Sequence, residues 1–217
     1  MTEQYPFSAP TVSKADPLDG LLQISDLNQP IPVGILIWDG ARPGYLIQLR
    51  LDDELIGEPS ALGDQLPGDI IQLQVSHLLL SESRRYELSF QVTNHINGVV
   101  RESSAITLKV DRTQPGATLL APLIFPTATF SDQLTGLLPG YAGMQQGDVV
   151  QTLLNGSPGP NHTVTADELT LRPVEIGFTR EHLQPHAPGM VSIEYAVTDR
   201  AGNTSITSLP TLVSVQL

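Results

Sequence analysis

Three oxygen-bearing side chains raise the first question of chemistry. Asp199 and Asn203 lie in the run Tyr195-Ala-Val-Thr-Asp-Arg-Ala-Gly-Asn-Thr-Ser205, and Asp111 lies in Val110-Asp-Arg-Thr-Gln-Pro115. Carboxylate and amide oxygens are what Ca²⁺ takes, about six to eight at a time, so these three are the candidate calcium ligands. The same residue types also reverse hairpins, because their short side chains hydrogen-bond the nearby backbone. No Asp-x-Asp-x-Asp-Gly loop accompanies them. A polar turn is therefore the first expectation and calcium the second, with no other cofactor expected.

Other constellations are weaker. Asp52-Asp53-Glu54 is the densest acidic cluster and is expected to be a charged turn between strands, where it also discourages edge-to-edge pairing. His77, His95, His162, His182 and His186 show no metal spacing. His182 and His186 would share a helix face, but Pro185 and Pro188 argue against a helix there. Serines are plentiful, yet no Gly-x-Ser-x-Gly elbow occurs; Gly156-Ser-Pro-Gly159 reads as a turn. No glycine-rich phosphate loop is present either, so the chain is expected not to be an enzyme. Asn155, Asn161 and Asn203 fit the N-glycosylation pattern, which marks them as expected exposed turns. Trp38, the sole tryptophan, ends an apolar run and is expected in the core.

Composition narrows the partners. The 217 residues carry 23 acidic against 11 basic side chains, a net charge of −12. Such a chain repels phosphate backbones and anionic lipid, so no nucleic acid is expected as partner. There is no cysteine, which excludes disulfides and thiolate chemistry. The first residues have neither a basic start nor an apolar stretch, so no signal peptide is expected in this chain. No run reaches the roughly 18 apolar residues of a membrane helix, and no membrane insertion is expected.

These side chains have to be positioned by strands. Tyr86, Leu88, Phe90 and Val92 alternate with polar residues, as do Val191, Ile193, Tyr195 and Val197; period 2 is the mark of a half-buried strand. Ile106, Leu108 and Val110 repeat it, and VGILIW, YLIQLRL and DIIQLQV are short runs bounded by Gly, Pro or Asp. The chain is also written twice. Tyr86–Asn94 and Val191–Asp199 align at a spacing of 105 residues, which also pairs His77-Leu78 with His182-Leu183 and Pro17-Leu18 with Pro122-Leu123. Gly44 in GYLIQL pairs with Gly147 in GDVVQT at 103, implying a two-residue length change in between. Short strands in repeated units of about 100 residues predict antiparallel sandwiches. Tyr86, after the polar corner Ser81-Glu-Ser-Arg-Arg85, stands where a tyrosine corner belongs; its counterpart Val191 cannot supply one.

The second half resembles the bacterial immunoglobulin-like repeats of large surface and adhesin-type proteins. The resemblance rests on Tyr195–Ser205, on Gly147-Asp-Val-Val-Gln-Thr-Leu-Leu-Asn-Gly156 and on the junction Val110–Pro115. The first half is more divergent, with Tyr45 in place of Asp148. The expected fold is all-β: two tandem immunoglobulin-like (fibronectin-like) antiparallel β-sandwiches, at 15–112 and 113–217. Residues 1–14, with Tyr5 and Phe7, are expected as an N-terminal lead-in, and Pro115 as a stiff junction that limits swing. The resemblance implies a secreted or cell-surface, non-catalytic spacer or adhesive module with a protein or carbohydrate ligand at its loop ends. It adds some weight to calcium, which some adhesin repeats hold at their junctions. The alternatives are an accessory or carbohydrate-binding module of a toxin or secreted enzyme, and a cytoplasmic interaction protein.

Overall fold

A computed structural model describes residues 7–126, 133–170 and 172–216. The chain divides into two compact units, Met1–Arg112 and Thr113–Leu217. Tyr5 lies outside the described residues.

In the first unit the strands are β1 (Ile31–Leu36), β2 (Leu46–Leu51), β3 (Glu54–Ala61), β4 (Ile70–Val75), β5 (Arg85–Thr93), β6 (Val100–Glu102) and β7 (Ile106–Lys109). All named pairings are antiparallel. One sheet is β1–β4; the other runs β3–β2–β5–β6, with β7 also on β5. The alternating residues face inward: Ile31, Val33 and Ile35 of one sheet share a core with Ile47, Leu49, Tyr86, Leu88, Phe90, Val92 and Leu108. The tyrosine corner is present. Tyr86 Oη donates to Glu82 O at 3.2 Å and accepts from Glu82 N at 3.1 Å.

In the second unit the strands are β8 (Gln133–Leu138), β9 (Val149–Leu154), β10 (Ser157–Thr163), β11 (Val174–Thr179), β12 (Gly189–Thr198) and β13 (Thr211–Val215), with a one-turn helix α1 (Arg180–Leu183) before β12. One sheet is β11–β8 and the other β10–β9–β12–β13. Strands β8 to β12 stand as β1 to β5 do and β13 as β7 does, while β6 has no named counterpart among the described residues. Both are immunoglobulin-like sandwiches of fibronectin type, with strands B and E in one sheet and C′, C, F and G in the other.

Hydrogen bonds fix the true equivalence of the two units. Phe90 N donates to Ser103 Oγ and Tyr195 N to Ser208 Oγ, each at 3.0 Å, so the 105-residue spacing holds over strands F and G. Leu80 and Leu183, 103 apart, are each fully buried behind strand E. The two-residue change therefore falls between Leu80 and Tyr86. His77-Leu78 is consequently not the counterpart of His182-Leu183; Leu78 is 73% exposed. The pairing of Pro17-Leu18 with Pro122-Leu123 also fails, because Leu18 is 91% exposed whereas Leu123 is buried. Thr11 bridges Gly34 just as Ile124 bridges Leu137, so the first unit carries extra chain between Thr11 and β1. Part of that chain, at Leu21, pairs in parallel with Lys109. Phe7 bridges Ser103 and packs on the first core, so the described end of the lead-in belongs to that sandwich.

One expectation about a turn and one about a helix are corrected. Of Gly156-Ser-Pro-Gly159, read as a turn, only Gly156 is in one; Ser157–Thr163 is strand β10, with a register shift between Pro158 and Asn161. Its first-unit counterpart β3 contains Gly57 and Pro59 and shifts register between Ile47 and Leu49. Both are edge strands, where proline removes no ladder donor and a bulge blunts further pairing. Gln48 and Gln151 span the two bulges, donating to Gly57 O at 2.7 Å and Gly159 O at 2.8 Å. Against expectation a helix does carry His182: α1 ends at Leu183, and a 3₁₀ turn, Gln184–His186, follows directly with Pro185 in its first turn, where a missing N–H costs little.

Candidate functional site

Side chains that combine apolar faces with polar tips gather at one end of the first unit. Trp38 follows β1, Tyr45 precedes β2, Asn94 follows β5, and Asn97 and Val99 belong to the F–G loop. The backbone sets this end. A 2.7 Å bond from Leu62 N to Tyr45 O and another from Gly44 N to Leu62 O hold the start of β2 against the end of β3. Gly44 has φ +87°, and a Cβ there would stand 2.8 Å from the His95 ring, so glycine is required for His95 to approach.

On that frame the rings pack in series. Phe7 and Trp38 have centroids 4.5 Å apart, Trp38 and Tyr45 lie near-parallel at 6.5 Å, and His95 meets Tyr45 edge-on at 6.2 Å. Asn94 Nδ2 donates to Tyr45 Oη at 3.2 Å. Between the B–C and F–G loops these groups leave a cleft of about 480 Å³, lined by Phe7, Trp38, Tyr45, Asp39, Asn97 and Arg101, with Gly40, Val92, Asn94 and Val99. This is within the usual range for ligand sites, with few polar groups set among apolar ones. Trp38 is half-buried, a wall of the cleft as well as a neighbour of the core. Sequence reasoning found Trp38 but missed the site, because its walls come from positions 7, 38, 45, 94, 97 and 101.

At the same end of the second unit polar bonds tie the counterpart side chains together. Tyr141, Asp148 and Arg200 replace Trp38, Tyr45 and His95. Asp148 is fully buried, and its Oδ2 accepts from Tyr141 Oη at 2.7 Å and Gln145 N at 3.0 Å. Burial and the bond to Asp148 push the Tyr141 phenol well above its ordinary range. Burial also raises Tyr195, to about 12, and its Oη donates to Ala121 O at 2.9 Å.

The sequence candidates fall as follows. Asp199 and Asn203 are together: Asn203 N donates to Asp199 Oδ1 and Asn203 Nδ2 to Asp199 Oδ2, each at 2.9 Å. The carboxylate closes its own hairpin, and calcium there would have to replace both bonds. Asn203 is buried at 7% exposure, contrary to the expected exposed turn, whereas Asn155 and Asn161 are exposed. Asp111 belongs to the first unit. Among the described residues no group of three or more His, Cys, Asp or Glu side chains is placed to hold a metal.

Asp52 and Asp53, both at positive φ, are the two central residues of the β2–β3 hairpin. Asp52 Oδ1 accepts from Glu87 N at 2.8 Å, as Asn155 Oδ1 accepts from Ser192 N at 2.9 Å in the second unit. A 2.6 Å ion pair to Asp52 raises the Arg84 guanidinium. His182 Nδ1 accepts from Thr179 N at 3.1 Å, and His186 Nδ1 stands 3.3 Å from Asn155 Nδ2; the two imidazoles serve separate structural bonds.

No family model matches the sequence, and no curated protein matches it. Among solved structures it is similar to fibronectin(III)-like modules of CbhA from Clostridium thermocellum, at 13% identity over 95% of this chain and 94% of that one, TM-score 0.49. It is similar to the human OSCAR ligand-binding domain at 11% identity, over 98% and 100%, TM-score 0.38. The adhesin domain of Epf from Streptococcus pyogenes aligns at 12% identity, over 96% and 88%, TM-score 0.33. The fold assignment rests on strand order and register, not on these likenesses.

Proposed function

We propose that the chain is a non-catalytic binding module of a secreted or surface-exposed bacterial protein, in which the first unit binds a ligand and the second acts as a spacer. The observation that carries this reading is the aromatic cleft between the B–C and F–G loops of the first unit, set against the hydrogen-bonded Tyr141–Asp148 network in the second. Loops at one end of a rigid sandwich are where this architecture presents recognition residues.

The test is capture of the intact chain on an array of immobilised glycans and matrix proteins. Asn97→Trp puts a large side chain into the cleft and should abolish capture, whereas Arg200→Gln in the second unit should leave it unchanged. Equal capture by both variants would reduce the chain to a spacer or move the site elsewhere. Calcium at Asp199 and Asn203 in the second unit, and separately at Asp111 in the first, is a secondary proposal. Millimolar Ca²⁺ must raise the thermal midpoint over a chelator control if the native state binds it, and no shift rejects it.

A further inference from the structure

We infer that the cleft takes a short acidic saccharide, a sugar ring bearing a carboxylate, and that Arg101 is the residue that selects it. This rests on the reading of the first unit as the binding unit and names its ligand class. Three observations carry it. The first is charge. In a chain of net charge −12, the cleft wall includes the exposed Arg101. Among the described residues Arg101 has no ion-pair or side-chain hydrogen-bond partner, although Arg50, on the same sheet, is paired with Glu102 and Asp53. A planar guanidinium with five donors and no acceptor matches a carboxylate in bidentate fashion.

The second is the mixture of polar groups. Asp39, also lining the cleft and also without such a partner among the described residues, is acceptor-only when ionised. It suits a ligand with hydroxyl donors and repels one that offers only carbonyls. Asn94 and Asn97 spend their amide oxygens on the loop, accepting from Ile96 N at 2.9 Å and Val99 N at 3.1 Å, and Asn94 Nδ2 donates to Tyr45 Oη; the Asn97 amide nitrogen is the donor these two offer a sugar oxygen. A proline-rich peptide in an aromatic groove is the main rival. It presents carbonyl acceptors and leaves Asp39 unmatched.

The third is the aromatic wall. Half-buried Trp38 and Tyr45 are held by Phe7 on one side and His95 on the other. Their ring orientation is set before a ligand arrives, which lowers the ordering cost of binding. The cleft's charged or titratable neighbours are Asp39, Tyr45, Arg101 and His95; only Arg101 is a permanent cation.

Trp38 is the sole tryptophan, so its fluorescence reports the cleft in the intact chain. The probes are a galacturonate disaccharide and sialyllactose, with methyl-esterified digalacturonate and lactose as neutral counterparts and a polyproline decapeptide as rival, each also followed by calorimetry. Saturable binding of an acidic sugar is expected, at least about tenfold tighter than its neutral counterpart. Arg101→Gln should remove that preference while leaving the circular dichroism spectrum and residual neutral-sugar binding intact, and Arg101→Lys should restore part of it. Equal affinity for acidic and neutral sugars, or an unchanged preference in Arg101→Gln, overturns the role of Arg101. Saturation by the peptide alone overturns the saccharide while keeping the first unit as the binding unit. Absence of binding by every probe also rejects the inference, whereas loss of capture in Asn97→Trp decides the broader reading separately.

Discussion

At the B–C and F–G end, Trp38, Tyr45 and His95 of the first unit occupy the places of Tyr141, Asp148 and Arg200 in the second. The backbone there is the same in both. Ala41 N bonds Trp38 O as Met144 N bonds Tyr141 O, both at 3.2 Å, and Gly44 and Gly147 both have positive φ with the side chain of residue 95 or 200 against them. One set of side chains is tied together through the buried Asp148 Oδ2; the other places rings in series and leaves a cleft. The Gly-Asp motif of the second unit is thereby explained. Asp148 is the acceptor that ties Tyr141 and the backbone of Gln145 to the start of β9. Replacing it by Tyr45 removes a buried charge and supplies an aromatic wall. Divergence between repeats has changed chemistry on a conserved frame, and it falls at the loop end.

The largest expected effect breaks the end tied through Asp148. Asp148→Ala leaves the Tyr141 hydroxyl and the Gln145 N–H without their acceptor, at a cost of about 3 kcal/mol to the second unit. In urea, circular dichroism should show an early transition. Trp38 fluorescence, which belongs to the first unit, should keep its midpoint; a matching fluorescence shift would show that the units do not unfold independently. A smaller pair of effects tests whether the frames are equivalent. Ser103→Ala and Ser208→Ala each strand a buried backbone N–H, of Phe90 and Tyr195, for about 1–2 kcal/mol. The two losses should be alike, and a large disparity between them would break the equivalence of strands F and G.

The smallest effect has no counterpart in the first unit. Burial favours the protonated form of Glu168, but bonds from His162 and from Thr165 N and Oγ1 outweigh it and hold the carboxyl below its ordinary range. Such a group contributes stability that is complete at neutral pH and is lost as pH falls through the acid range. Glu168→Gln should flatten that part of the stability profile by a few tenths of a kcal/mol, most of the ion pair being near the surface. An unchanged acid limb would assign the dependence to other carboxylates.

Much of the frame was legible. Alternation at Tyr86–Val92 and Val191–Val197 marked the F strands, because a half-buried sheet imposes period 2, and the polar corner marked Tyr86. Ser103 and Ser208 share the same 105-residue spacing, a signal that the apolar pattern alone passes over. What misled was local likeness. His-Leu and Pro-Leu recur at that spacing by coincidence, and burial alone shows Leu80, not Leu78, to be the partner of Leu183. The start of the proline-bearing edge strand β10 read as a turn because propensity describes strand interiors, and an edge needs only one side of its ladder.

Sequence by itself thus determined the all-β class, the doubling of the unit, and the absence of thiol chemistry, since each follows from composition or from a period along the chain. Only the tertiary structure decided which end of which unit is open. That outcome depends on whether side chains from five separate stretches satisfy one another or leave space, and no spacing in the sequence encodes it. Asp199 and Asn203 are four positions apart in the chain and bond each other. Trp38 and Arg101 are 63 positions apart in the chain and line one cleft, because strands B, C, F and G bring their loops to the same end.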